Sequence, residues 1–310
     1  MKRALTTTLA IFILIAPLVS LAGDCGDVDG TATVDLLDIT YIINYLYKAG
    51  PAPLCETAYG GDFCGDVNNN GSLDLLDITY IINYLYKGGP IPQCGCGILA
   101  DIDGNEYTTI VIGDQCWMME NMEVTHYRNG DPIPHVTDSA TWNGLSSGAY
   151  CEYDNNPSHV PTYGRLYNWY AVDDSRNIAP DGWHVPTDEE WKQLEMYLGM
   201  SQAQADSTGL RGTDEGGKLK DTGTTHWHSP NDCATNESGF TALAGGYRSN
   251  SHEFIGMGDV THFWSSSTWE DSSGFAWHRH LYSLSCLVRR SPFYEQGGIS
   301  VRCVRDSRLK

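Results

Sequence analysis

Asp66, Asn68, Asn70, Ser72, Asp74 and Asp77 put an oxygen donor at positions 1, 3, 5, 7, 9 and 12 of one segment. Gly71 falls at position 6, where the chain must turn sharply for those oxygens to face one point. Such a loop suits a hard cation that takes six to eight oxygens, so calcium (Ca2+) is the expected cofactor. A second set, Asp27, Asp29, Thr31, Thr33, Asp35 and Asp38, repeats the spacing with a poorer composition. Thr31 stands at position 5 and Ala32 at position 6, and an alanine held at positive φ costs roughly 1 kcal/mol or more. The first site is expected to be the weaker one. Extracellular calcium sites work at about 10⁻⁴–10⁻³ M, so weak does not mean empty.

Each loop runs straight into a predicted amphipathic helix. The segment Asp35–Lys48 recurs letter for letter as Asp74–Lys87, 39 residues on. Leu36, Ile39, Ile43 and Leu46 form one apolar stripe, repeated by Leu75, Ile78, Ile82 and Leu85. Tyr41, Tyr45, Tyr80 and Tyr84 lie off it, as the second side of a small core or as a docking face. Leu73, at position 8, is the apolar residue that can pair the two loops. Gly50-Pro51 and Gly89-Pro90 end the helices. The repeat implies two copies of one unit packed on each other.

A calcium loop followed by one helix, twice over residues 25–93, resembles a type I dockerin, an EF-hand-like module without the entering helix. The resemblance implies a small all-α calcium-loop module and a cohesin-like protein or other cell-surface component as partner. Positions 10 and 11, where cohesin-contacting Ser or Thr often sit in that family, are Leu36-Leu37 and Leu75-Leu76 here. That departure points to an intramolecular or unfamiliar partner. Antiparallel helices would favour Cys25–Cys94 and Cys55–Cys64 over pairs within a repeat, but the sequence leaves the pairing open.

The rest of the chain sets the context for these loops. Lys2 and Arg3, the apolar run Leu9–Val19 and the small residues Ser20 and Ala22 read as a secretory signal over residues 1–22. The apolar run is shorter than the ~20 residues a bilayer span needs, and no second one follows. Removing that leader takes the formal charge from −20 to −22, which excludes nucleic acid and anionic membrane as partners. All ten cysteines lie beyond it, an even number that implies disulfides in an exported chain. A calcium-binding domain over 23–96 and a larger domain over 97–310 are expected.

From Ile98 onward Gly, Ser, Trp and Tyr are frequent and turns recur, which predicts short strands in an irregular α+β domain. Ile102–Ile112 is expected to form a hairpin around Asp103-Gly104-Asn105. Thr187 and Glu190 form a capping box, with Trp191, Leu194 and Leu198 continuing the helix face. Six segments, Gln115–Asn121, Tyr163–Trp169, Gly182–Trp191, Phe240–Arg248, Phe263–Ser267 and Gly298–Val304, resemble the Fibrobacter succinogenes major paralogous domain. That family looks like a relative of the formylglycine-generating-enzyme fold, which is C-type-lectin-like. The resemblance implies a fold but no agreed activity. Separately, Cys116 is a candidate structural disulfide partner for Cys303.

Three chemistries are tested by single residues. A formylglycine-type oxidase needs two neighbouring copper-binding cysteines, and Cys286 and Cys303 are the candidates. A sugar-binding lectin loop is approached only by Ser229-Pro230-Asn231-Asp232, which lacks its first acceptor. His226, His228, His278 and His280 form two i, i+2 pairs that could hold a transition metal if their strands met. Trp142, Trp227, Trp264, Trp269 and Trp277 are core or, for one or two, a sugar platform. The expected function is a secreted, non-catalytic calcium-binding protein whose second domain binds a glycan or a protein at the cell surface. A component of extracellular polysaccharide degradation, the oxidase and a structural spacer are the alternatives.

Overall fold

A computed structural model describes residues 25–31, 33–51, 53, 65–68, 72–89, 92, 96–250 and 253–306. Helices α1 (Leu36–Lys48) and α2 (Leu75–Lys87) begin where the sequence repeat places them. Asp35 and Asp74 cap them, each accepting from a backbone N–H two residues on, and Asp38 and Asp77 complete the capping boxes. Both helices end on a left-handed residue, Ala49 at φ 52° and Gly88 at φ 65°.

Ile39, Ile42, Ile78 and Ile81 meet Val28 and Val67 in one small core, with Val34 and Leu73 packed against it. Of the expected stripe, Ile39, Ile43 and Leu46 face this core, Ile42 joins them, and Leu36 does not. Leu36 and Leu75 are 58% exposed, because they occupy the first helical position beyond the stripe's reach. Tyr41 and Tyr80 pack on this core, whereas Tyr45 is exposed.

The C-terminal part is an irregular α+β domain. Strands β1 (Leu99–Ala100) and β2 (Glu106–Tyr107) form the first hairpin. It is shorter than expected, because the Asp101 carboxylate gathers the N–H groups of Asp103 and Asn105 and the Tyr107 hydroxyl, locking the turn. Strand β3 (Thr109–Ile112) instead turns back on β4 (Gln115–Met118). Two-residue pairs β5 (Tyr150–Cys151) and β6 (Leu166–Tyr167) follow, and then β7 (Trp183–His184).

The main sheet uses β8 (Gly209–Arg211), β9 (Gly245–Arg248), β10 (Phe254–Met257), β11 (Val260–Thr268), β12 (Phe275–Tyr282) and β13 (Val288–Tyr294). Its order is β10-β9-β11-β12-β13-β8, antiparallel except for β9 beside β11. Strand β14 (Val304–Arg305) closes a second sheet, β3-β4-β14-β7. Alternation along the main sheet sends Phe263, Leu281 and Val288 to one core and Trp264 and Ala276 to another.

The Asp188–Tyr197 helix starts at the predicted capping box and buries Trp191 and Leu194. Asp188 lies between Arg279 (2.8 Å) and Arg290 (2.7 Å), and Glu195 takes Arg279 and Arg211, both at 2.7 Å. This buried cluster ties the helix to β12, β13 and β8. Among the described residues no helix is long and apolar enough to cross a membrane.

Candidate metal centre

In the first loop three carboxylates converge. Asp27, Asp29 and Asp38 each present an oxygen within 4.8 Å of the others. Asp27 is 3% exposed and Asp38 fully buried, and carboxylates at that depth persist where they are hydrogen-bonded or coordinate a cation.

The loop backbone folds around them. Val28 and Asp29 N–H donate to Asp38 Oδ1 at 2.8 and 3.2 Å, and Asp35 N–H donates to Asp38 Oδ2 at 2.7 Å. Thr31 N–H donates to Asp27 Oδ1 at 2.9 Å and to Asp29 Oδ1 at 3.2 Å. Position 12 therefore closes the loop onto its start. Asp35 spends Oδ1 on Leu37 N–H, and the hydroxyls of Thr31 and Thr33 lie 3.4 Å apart on the exposed side.

The second loop repeats the pattern. Asp77 accepts from Asn68 and Asp74 N–H at 3.3 and 2.8 Å, and Asp74 accepts from Leu76 N–H at 2.6 Å. Asp66 is buried beside it, while Ser72 is exposed. Burial pushes the Asp77 carboxyl up to about 6 despite those two hydrogen bonds, and the charge of Asp66 adds to the rise. Asp38 is raised for the same first reason. A bound divalent cation would act against both shifts. The expectations for Asn70 and Ala32 lie outside the described residues.

Cys25 is disulfide-bonded, and Cys55, Cys64 and Cys94 lie outside the described residues. The Cys116 expectation is corrected: it pairs with Cys96, not Cys303. Thr109 on the neighbouring strand accounts for this, since its hydroxyl takes Cys96 N–H (2.7 Å) and donates to Gly97 O (2.6 Å). Cys303 is a buried thiol whose sulfur faces Met122 at 3.3 Å.

The six motif segments hydrogen-bond to one another. Arg302 donates to Asn121 Oδ1 (2.9 Å) and to the carbonyls of Phe240 and Thr241, while Asn121 donates to Tyr163 O at 2.8 Å. The indoles of Trp264, Trp169 and Trp191 donate to Tyr167 O, Ser265 O and Trp264 O. The sequence profile of the Fibrobacter succinogenes major domain matches residues 110–305, which carry all six. The chain belongs to the Fibrobacter succinogenes major domain family. No curated protein and no solved structure matches it.

Inside this major domain the oxidase candidates are separated in role. Cys286 is bonded to Cys233, and burial pushes the Cys303 thiol well above its ordinary value. Neither presents a ready thiolate. In the lectin-like tetrapeptide the Asn231 amide is spent on the carbonyls of Asp221 and Gly223. A small cleft between the β1 segment and Ile178–Asp181 holds Arg128, whose guanidinium is bonded to three backbone carbonyls.

The two histidine pairs do not meet. His226 and His228 face Asp221 and Asp259, whereas His278 and His280 share one face of β12 and are joined by His262 of β11. Sequence reasoning missed His262, a lone histidine whose only signal is its place on the neighbouring strand. Trp142, Trp227 and Trp264 are core, while Trp269 and Trp277 are half-buried. Trp269 meets Phe275, which meets Tyr294, at centroid distances of 5.6 and 4.7 Å.

Proposed function

We propose that this is an exported, non-catalytic binding protein whose helix-pair module holds calcium and docks a protein, while its major domain holds a glycan. The observation that carries the calcium part is the convergence of Asp27, Asp29 and Asp38, which stand at positions 1, 3 and 12 of a twelve-residue oxygen spacing found twice. Two disulfides among the described residues, Cys96–Cys116 and Cys233–Cys286, fit an oxidising compartment.

The docking part rests on Leu36, Leu37, Leu75 and Leu76, all 58–60% exposed and beginning the two helices. Paired leucines offer apolar area and no hydrogen-bond donors, so they suit a protein partner, cohesin-like or another cell-surface component, rather than a sugar. The glycan part rests on Trp269, Phe275 and Tyr294, which meet edge to face or tilted at one end of the main sheet, with Tyr294 42% exposed. Half-exposed aromatic rings give a sugar ring a flat apolar surface to stack on. The C-type-lectin-like character of this domain belongs to the same proposal.

A glycan array probed with the full chain, in calcium and in chelator, tests the second half. Binding that is lost on Trp269→Ala supports it. A clean negative in calcium contradicts the glycan and turns attention to a protein ligand.

A further inference from the structure

We propose that His262, His278 and His280 form a second metal site, for a borderline transition-metal ion of the zinc class, within the major domain. The three residues are 3%, 2% and 7% exposed. His262 stands directly across from His280 in the β11–β12 register, and His278 lies two pairs further along, opposite Trp264. Period-two alternation puts all three imidazoles on one face of the sheet. One ring nitrogen from each lies within 4.8 Å of the other two.

Hydrogen bonding sets this cluster apart from ordinary packed histidines. Both nitrogens of His262, Nε2 of His278 and Nε2 of His280 are buried without a hydrogen-bond partner. Each orphaned polar group costs about 1–3 kcal/mol, and here four of them belong to three histidines whose ring nitrogens converge, one from each. A shared metal ion would satisfy three together. His278 is also held in the metal-binding tautomer: its Nδ1–H donates to Ser291 O at 2.7 Å, which leaves the Nε2 lone pair free.

The surroundings select the class of ion. The three rings are buried, and burial favours the neutral imidazole that a metal needs. Nitrogen donors without a carboxylate suit zinc, copper, nickel or cobalt and do not suit calcium, so this site is distinct from the loops. Arg289, opposite His280 on β13, adds positive charge, so water or an anion is the fitting fourth ligand. His262 stacks on Tyr247 at 4.2 Å and lies tilted against His280 at 3.8 Å.

The test uses the full chain, stripped with a chelator and titrated with Zn(II), and with Co(II) as the spectroscopic probe, at constant calcium. About one equivalent should survive gel filtration, raise the melting temperature and give cobalt d–d bands without a sulfur charge-transfer band. His262→Phe and His280→Phe keep the aromatic packing and remove the donors, and should cut retention roughly tenfold or more. His226→Ala with His228→Ala should leave it unchanged. Failure of the wild-type chain to retain either metal overturns the proposal, and so does retention in the Phe variants equal to wild type. If those variants do not fold, imidazole NMR of the wild type decides. Stoichiometric zinc must move the ring signals of the three histidines, and unmoved signals overturn the site.

Discussion

Asp38 reaches back ten residues to accept the N–H of Val28 at 2.8 Å, so the end of the first loop is bonded to its beginning. The same carboxylate also takes Asp29 and Asp35 N–H groups, and through Asp35 it completes the capping box of the helix that follows. Loop closure, helix capping and the proposed calcium site therefore share one side chain. Asp77 repeats the arrangement in the second loop.

The two loops should not bind equally. The second has Asn70 and Gly71 where the first has Thr31 and Ala32. Asp66→Ala is expected to weaken calcium binding by the full chain roughly tenfold or more, since it removes the position-1 carboxylate of the loop that has glycine at its sharp turn. Asp27→Ala should do less. Calorimetric titration of both variants checks the order, and a larger loss in Asp27→Ala would reverse it.

Ala49 and Gly88 occupy the same place in the two repeats, both left-handed. Alanine is strained there and glycine is not, so Ala49→Gly should stabilise the helix pair by about 0.5–1 kcal/mol. Gly88→Ala should destabilise it by a similar amount. Urea unfolding followed by far-UV circular dichroism reads both, and the opposite signs would contradict the cap assignment.

Asp188 gives the domain an acid-sensitive tie. Burial raises its carboxyl, but hydrogen bonds and charge from Arg290 and Arg279 outweigh this and hold it at about 2, against 3.8 for a free aspartate. The unfolded chain takes up the proton first, so the contribution, of order 2 kcal/mol, is complete above about pH 4. It is lost as the pH falls towards 2. Asp188→Asn should cost about 3–5 kcal/mol at neutral pH by leaving the buried Arg290 without a carboxylate partner, while Arg279 keeps Glu195. The gap to wild type should narrow below pH 3, and a gap independent of pH would remove the electrostatic explanation.

Local features of this fold are legible in the sequence, and long-range ones are not. The repeat, the start of both helices and the Thr187–Glu190 box follow from spacing over a few residues. The exposed Leu36 shows the limit, because a stripe read from sequence does not say where the loop releases the helix. Arg290 meets Asp188 across 102 residues, and Cys96 rather than Cys303 meets Cys116 through the Thr109 anchor. His262 joins His278 and His280 only once β11 and β12 are in register. The family motifs interlock as a scaffold through Arg302 and the three indoles, which is why they announce a fold and not an activity.

The cysteine assignment has its own check. Alkylation of the native, unreduced chain should leave Cys151 and Cys303 unmodified, since both thiols are buried. Unfolding without reductant should expose both to the reagent. A cross-linked peptide joining Cys116 to Cys303 would contradict the observed pairing.

Calcium titration of the chelator-stripped full chain, by calorimetry with parallel melting curves, bears on the whole proposal. Saturable binding is expected near the extracellular range of about 10⁻⁴–10⁻³ M or tighter, with a rise in melting temperature. Both should vanish in a chain carrying Asp38→Ala and Asp77→Ala. No heat and no melting shift in excess calcium, or full binding by the double variant, would contradict the calcium centre.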